Sequence, residues 1–469
     1  MPYKELTPVS ALAEGLKDAG VECVYNFPGF HSHEIAEQLG CTQISINERV
    51  AYSEAFGAAV AGARSVVTMK TVGLNIALDA FLHSLIAGVN AGLVLVVTDD
   101  THVVGSQEYQ DSRHFFEISG GLWYEPSSIE QAYLMSTRAF AVSERLDIPV
   151  VIRLSGNYFH LKPETVEVCP TKHFKKQNLQ DLEEIITPGK YVIHPYYFKK
   201  QEKRLRLKNG AIREYTAGLY EIKEAGSKKA LISFGTTSQS PIDVDCDVMK
   251  VFTLPLPRDA ILKFIKEHDE ITVREDGDFF KKVLLRILGE EELKVRFEPQ
   301  PNRGVAVKFT RWNKYVELFK LLNKYLKDSI VVSEINQSTV ETTDTAKVAL
   351  ALGVAVSTAI GVSEVLGKSY AIVGDTSFLH EGRGILEEAR RRKVNLGIII
   401  LDNQMSWCTG GQVAADSVDL AIAGYSNVTV DLCLEDIDNL AKWLDNFRKL
   451  KGLNILRIRL PYLEPIIRS

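Results

Sequence analysis

The densest chemistry lies in two short runs of the C-terminal third. Gly374-Asp375-Thr376-Ser377-Phe378 closes the apolar stretch SYAIV, and the dipeptide Asp402–Asn403, separated from Thr376 by 25 residues, closes a second apolar stretch. Ligands of open α/β sheets sit beyond the carboxyl ends of the strands, so neighbouring strands would bring Asp375 and Asn403 together there. Mg2+ takes one or two carboxylates with carbonyl oxygens and completes its octahedron with substrate phosphates. Asp375 offers the carboxylate, Asn403 an amide oxygen and Met405 a backbone carbonyl. Gly374, Thr376 and Ser377 open the following helix, whose N–H groups suit a phosphate. The plainer account is that GD and DN are ordinary turns after strands.

The run Ile46 to Arg64, INERVAYSEAFGAAVAGAR, enters a helix of small residues. A carboxyl group at such a point can serve a helix N-terminus electrostatically, which is the plainer role for Glu48. Together, though, the two runs resemble the thiamine-diphosphate signature, GDG followed after about 25 residues by Asn, with Thr376 in place of the last glycine. Enzymes with this cofactor need one carboxyl group against the aminopyrimidine ring to help remove the proton from its reactive carbon. Glu48 is placed like that residue.

A family resemblance covers nearly the whole chain. MKTVGLNIALDAFLHSLIAGVNAGLVLVVTDD, then SQEYQDSR, resembles the first domain of the alpha subunit of indolepyruvate ferredoxin oxidoreductase, where VGLN, GGLVVVVADD and SSQNEQDNR recur in that order. GDTSFLHEG and LDNQMSWCTGGQ resemble its GDSTFFHSG and LDN…TGHQ. SFGTTS, FTLPLP and ITVRED follow the order of its transketolase-C-terminal-like domain. The resemblance implies thiamine diphosphate and Mg2+ held between a pyrimidine-binding and a diphosphate-binding domain of different copies, hence a homodimer core. Asn75, Thr409, Gly410 and Gln412 join the cofactor-binding set through the matched VGLN and TGGQ. The implied reaction is attack of the cofactor on the keto carbon of an aryl- or branched-type 2-oxoacid, then loss of CO2. In the oxidative form CoA takes the acyl group and a second subunit or free ferredoxin takes the electrons.

The departures concern electrons and substrate. The six cysteines, Cys23, Cys41, Cys169, Cys246, Cys408 and Cys433, form no CxxC and no cluster. The family's CPGCPH-type segment reads EPQPNRGVAVKF here, and its GDIGCY-type strand end reads SEINQST, Ser333 to Thr339. No iron–sulfur cluster is expected in this chain. Non-oxidative release of an aldehyde is therefore the alternative, and a thiamine-diphosphate-binding paralogue without turnover is a rival of another class. A nicotinamide site at Gly382-Arg383-Gly384 lacks the third glycine. The family's YPGTPSSEI becomes NFPGFHSHEI, adding His31 and His33. Imidazole titrates near neutrality, so these could protonate the product carbon or hold the substrate carboxylate. In an extended loop only one of them faces the site. His102, with Gln107 and Gln110, lies in the loop after the fourth strand, another candidate position. Asn336, Gln337 and Ser338 are weaker diphosphate candidates, Cys408 reads as packing near the cofactor, and His83 reads as a core histidine.

These residues need a scaffold of alternating strands and helices. The 469 residues suggest about three domains. A 45% apolar and 25% charged composition is that of a folded globular chain, and the net charge of −5 gives no case for nucleic-acid binding. No targeting or membrane-spanning stretch is evident, so a cytoplasmic protein is expected. Apolar strands ECVYNF, QISIN, SVVTM, AGLVLVVTD and IPVVIRLS alternate with helical patterns, the signature of parallel sheets covered on both faces. The expected fold is α/β in three units, two doubly wound parallel-sheet domains with a transketolase-C-terminal-like middle. The divisions are 1–165, pyrimidine binding; 166–225, a basic helical connector; 226–295, the middle; and 296–469, diphosphate binding. An Ala/Gly-rich interior helix is expected over Val348 to Val362.

Overall fold

The computed structural model describes residues 3–41, 44–99, 101, 109–168, 198–239, 245–288, 295–298, 313–334, 346–350, 353–406, 412–413, 417–431 and 437–460. They fall into two compact units, residues 1–307 and 308–469, described separately.

The first unit opens with β1 (Tyr3–Leu6), α1 (Pro8–Asp18), β2 (Cys23–Asn26), α2 (Ser32–Gln38) and α3 (Glu48–Val60). There follow β3 (Ser65–Lys70), α4 (Thr71–Ala87), β4 (Leu93–Thr98), α5 (Arg113–Ser119), β5 (Leu122–Tyr124), α6 (Ile129–Leu146), β6 (Val150–Leu154) and β7 (Glu164–Glu167). Their main sheet runs β5-β6-β4-β3-β2, all parallel. Every side chain of β4, LVLVVT, is buried, as a central strand covered on both faces requires. The helix starts are set locally. Thr7 and Ser10 form a reciprocal capping box at α1, and Asn47 Oδ1 accepts the Val50 N–H at 2.8 Å to start α3.

Beyond these lie α7 (Phe198–Thr216), β8 (Tyr220–Lys223), β9 (Lys229–Phe234), β10 (Asp247–Val251), β11 (Thr253–Leu254), α8 (Arg258–Glu267), β12 (Glu270–Arg274), α9 (Phe279–Leu288) and β13 (Val295–Phe297). They build a second sheet, β13-β12-β9-β10-β8, in which only β8 runs antiparallel. β11 leaves that group to pair antiparallel with β5, and one hydrophobic core runs through both sheets. A buried charge network joins them as well. Arg153 Nε lies 2.5 Å from Asp99 Oδ2 and its Nη1 lies 2.7 Å from Glu125 Oε2. Arg113 reaches Asp111 at 2.6 Å, Asp276 at 3.2 Å and Glu275 at 3.4 Å. The glycines close on it: a β-carbon on Gly277 would lie 2.5 Å from Arg113 Nη2.

The second unit comprises α10 (Asn313–Leu326), β14 (Val331–Glu334), β15 (Ala346–Leu350), α11 (Ala355–Leu366), β16 (Ser369–Gly374), α12 (Asp375–Glu381), α13 (Gly384–Arg391) and β17 (Leu396–Asp402). It continues through β18 (Met405–Ser406), β19 (Gln412–Val413), α14 (Val418–Ile422), β20 (Asn427–Asp431), α15 (Ile437–Lys449) and β21 (Leu453–Arg459). Its six-stranded sheet is parallel throughout, in the order β15-β14-β16-β17-β21-β20. Helices cover both faces, with separate cores around α10 and α15 and around α11, α12 and α13.

Several sequence expectations shift. Ile44 to Asn47 forms no strand; it makes one backbone bridge, Ser45 N to Asn26 O at 2.9 Å, because Ile46 is exposed and no neighbouring strand takes up the run. Val348 to Leu350 is strand β15, not helix, and α11 begins only at Ala355, after Gly353 turns the backbone at φ +74°. Ala, Val and Gly suit either state, so composition does not separate them. Tyr220–Lys223, inside the expected connector, is a strand of the second sheet, and Glu164–Glu167 pairs with β1 across the expected 165/166 division. α7 packs on the end of α4: Lys208 Nζ donates to Leu85 O at 3.3 Å and lies 3.1 Å from Asp147. His83 is a surface residue, its ring about half exposed with Nδ1 2.8 Å from Asp79 O. Among the described residues no helix is long and apolar enough to cross a membrane.

Candidate active site

In the second unit, β16 and β17 are parallel neighbours with Gly374 beside Leu401. Asp375 is the first residue of α12 and Asn403 follows β17, so both stand at the carboxyl edge of the sheet. Asp375 is 3% exposed. Its Oδ1 accepts the Thr376 N–H at 2.6 Å, while its buried Oδ2 has no hydrogen-bond partner. Burial, and the neighbouring Asp402 carboxylate, push Asp375 up to about 7, against the lowering effect of the Thr376 and Gln404 N–H groups. Asp402 is itself held by Arg457, with Nε at 2.5 Å from Oδ2. Asn403 Oδ1 accepts the Met405 N–H at 3.2 Å in an Asx-type turn. Gln404 takes φ +59° within that turn. Ser377 is buried, and Thr376 Oγ1 lies 3.3 Å from Asp375 Oδ1. Met405–Ser406 pairs antiparallel with Gln412–Val413, folding the segment after Asn403 back on itself.

This arrangement fits a divalent cation. A buried carboxylate with one unpartnered oxygen, biased towards its protonated form, gains most from positive charge at that oxygen. Asn403 contributes a neutral oxygen at the same edge, as a hard cation prefers.

In the first unit, Glu48 is the first residue of α3 and is 5% exposed. It lies on Gly73 in the first turn of α4, where a β-carbon would come 2.5 Å from its Oε1. The loop after β2 reaches the same place: a β-carbon on Gly29 would lie 2.7 Å from Lys70 Cβ, at the start of α4. Thr98 Oγ1 donates to Phe30 O at 2.9 Å, and Thr68 Oγ1 to Ser32 O at 3.0 Å. Glu48 and the His31–His33 segment therefore both lie towards the carboxyl ends of β2, β3 and β4, Glu48 against the first turn of α4 and the segment next to Gly29, which packs on Lys70 just before α4. That segment is not extended. Ser32 Oγ donates to Gly29 O at 3.2 Å and His31 starts helix α2, so the alternation expected of the two histidines does not apply. His33 Nδ1 lies 2.7 Å from Gly29 O. Asn75 shares both amide groups with Gln110, at 2.9 and 3.2 Å.

The remaining candidates His102, Thr409 and Gly410, with Gln107, Cys408, Asn336, Gln337 and Ser338, lie outside the described residues, and only the backbone of Gln412 lies within them. Sequence reasoning passed over Arg457, Glu34 and Phe159. The available signal for Arg457 was a charge inside the apolar strand NILRIRL. Cys23, Cys41 and Cys246 form no disulfide.

Residues 333–441 match the model of the thiamine pyrophosphate enzyme, C-terminal TPP binding domain. That stretch spans both Asp375 and Asn403. The similarity extends further. The chain is 26% identical to indolepyruvate oxidoreductase subunit IorA of Archaeoglobus fulgidus, over 86% of this chain and 75% of that protein. Against the subunit of the same name from Methanothermobacter thermautotrophicus it is 25% identical, over 90% and 78%. Among solved structures, 2-oxoglutarate:ferredoxin oxidoreductase from Magnetococcus marinus superposes with a TM-score of 0.51 at 13% identity, covering 63% of this chain and 62% of that one. That last likeness concerns the α/β fold. The chain resembles the IorA subunits along most of its length.

Proposed function

We propose that the chain uses thiamine diphosphate and Mg2+ to decarboxylate a 2-oxoacid of aryl or branched type, passing electrons to a separate partner. One observation carries this reading: buried Asp375, with an unpartnered oxygen beside Asn403, lies inside the stretch matching a TPP binding domain. Asp375, Asn403 and the Met405 carbonyl would hold Mg2+, and Gly374, Thr376 and Ser377 would border the diphosphate, with Thr409, Gly410, Gln412 and Asn75 as further cofactor contacts. Bound thiamine diphosphate supplies the nucleophilic carbon and the electron sink that loss of CO2 requires.

Glu48 holds the proton relay to the cofactor's pyrimidine ring, in a buried position that keeps bulk water from competing. His31, His33 or His102 handles the substrate's carboxylate and proton. The resemblance supports a homodimer in which Glu48 of one copy serves the cofactor held by Asp375 of the other, with 1–165 as pyrimidine-binding domain, 226–295 as transketolase-C-terminal-like domain and 296–469 as diphosphate-binding domain. Relatives named as a subunit support a second chain, and that chain or free ferredoxin takes the electrons while CoA takes the acyl group, in the cytoplasm. The scattered cysteines favour one second reading, non-oxidative release of an aldehyde.

Titration calorimetry tests the cofactor site: thiamine diphosphate binds only with Mg2+, and Asp375→Asn abolishes that dependence. Turnover of indole-3-pyruvate separates the outcomes. Product only with CoA, an acceptor dye and a partner chain supports oxidation, and aldehyde without an acceptor supports the second reading.

A further inference from the structure

Of the candidate histidines, one bears marks the others lack. His31 takes φ +65°, a left-handed conformation that costs a non-glycine residue on the order of 1 kcal/mol. Such strain persists only where the surroundings over-determine it. The His31 ring is gripped from three sides. It stacks on Phe159 with centroids 4.0 Å apart and planes at 14°, Phe30 meets it edge-on at 4.0 Å, and its Nδ1 lies 3.2 Å from Glu34 Oε2. Phe159 comes from the short helical turn Gly156–His160 after β6, so two separate strand ends converge on this one imidazole. Its side chain keeps 20% exposure. His33 has only a backbone carbonyl on Nδ1, and among the described residues no aromatic ring packs on it.

The geometry points to His31 as the imidazole that meets the 2-oxoacid, with Glu34 as its positioning residue and His33 without a part. This rests on the functional reading above. An Nδ1–H donated to the Glu34 carboxylate selects the tautomer and leaves Nε2 as the working nitrogen. Protonated, the ring donates from Nε2 to the substrate, and a proton passed on from Nε2 returns it to the neutral form that Glu34 holds. Phe30 and Phe159 hold the ring plane against rotation.

Two experiments test this. Nitrogen-15 NMR of histidine-labelled protein without cofactor reads the tautomer: wild type shows His31 protonated at Nδ1, Glu34→Gln keeps that state through its amide oxygen, and Glu34→Ala loses it. A wild-type ring without an Nδ1 proton overturns the assignment of Glu34. In turnover of indole-3-pyruvate with thiamine diphosphate and Mg2+, His31→Ala lowers kcat about 10²-fold, the range of a positioned acid or base. Added imidazole restores part of that rate, as a purely structural role would not allow. Glu34→Ala loses about 10-fold and Glu34→Gln recovers most of it. Full activity in His31→Ala, or the loss falling on His33→Ala, overturns the assignment. A wild-type protein with no turnover overturns the functional reading itself and the substrate role with it, while the NMR result still reports the Glu34 contact.

Discussion

Glu48 lies against bare backbone: a β-carbon on Gly73 would sit 2.4 Å from its Cγ and 2.5 Å from its Oε1. The first turns of α3 and α4 thus meet through a carboxyl side chain and a missing one. The absent methyl group is what admits Glu48 to a buried position.

Gly73→Ala therefore displaces the Glu48 carboxylate. Turnover and exchange of the cofactor's C2 proton are expected to fall about 10²-fold, as for a misplacement of about 1 Å. Overpacking costs about 1–3 kcal/mol, so circular dichroism should still report a folded chain. Unchanged exchange in both Gly73→Ala and Glu48→Gln would remove Glu48 from the proton relay.

Arg457 is buried and neutralises Asp402, whose carboxylate otherwise faces Asp375. Arg457→Met leaves a buried charge unpaired and is expected to cost about 3–5 kcal/mol. Thermal unfolding followed by calorimetry should show the loss, and Mg2+ should recover part of it by supplying charge at the same edge.

Glu125 gives a pH dependence. It is buried among Arg153, Arg113, Asp276 and Asp111, and burial, with the two aspartates, pushes it up to about 7, against the lowering pull of the two arginines. The folded form therefore binds its proton more tightly than the unfolded form, whose glutamate titrates near its ordinary value. The penalty of ionising it is absent below about pH 4.5, grows as pH rises, and is complete above about pH 7. Glu125→Gln is expected to gain stability over wild type by up to about 3 kcal/mol at pH 8 and by little at pH 4.5. Urea unfolding of both proteins across that range checks it, and an advantage independent of pH would contradict it.

Lys208 places its ammonium on the last turn of α4, against Leu85 O, with Asp147 beside it. Lys208→Met removes a charged hydrogen bond and a favourable helix-end charge, worth together about 1–3 kcal/mol. Faster hydrogen exchange confined to the α7 amides is the expected signature.

The strand ends that carry Asp375 and Asn403 were legible because their strands, SYAIV and LGIIIL, are unbroken apolar runs, and the turn residues follow at once. Unbroken apolar runs of this kind are typical of parallel strands covered on both faces. The partners of those residues were not legible. Asp402 and Arg457 are 55 residues apart and meet only because β17 and β21 lie side by side with Asp402 opposite Arg459. Asp99 and Arg153, 54 residues apart, meet in the same way across β4 and β6. In composition, such buried charges look like solvated ones.

The sequence by itself determined the α/β class, the run of strands and helices, the resemblance to a thiamine-diphosphate family and the motif residues of its binding domain. Periodicity and motif spacing are local properties, and a chain displays them before it folds. Tertiary structure alone decided that Val348–Leu350 is strand, that β8 and β11 join sheets beyond their neighbours, and that Asp375 Oδ2 is left without a partner. It also decided which histidine is clamped, since Phe159 reaches His31 from a different strand end. Burial, pairing and strain depend on what the rest of the chain brings to a residue, and no local pattern records that.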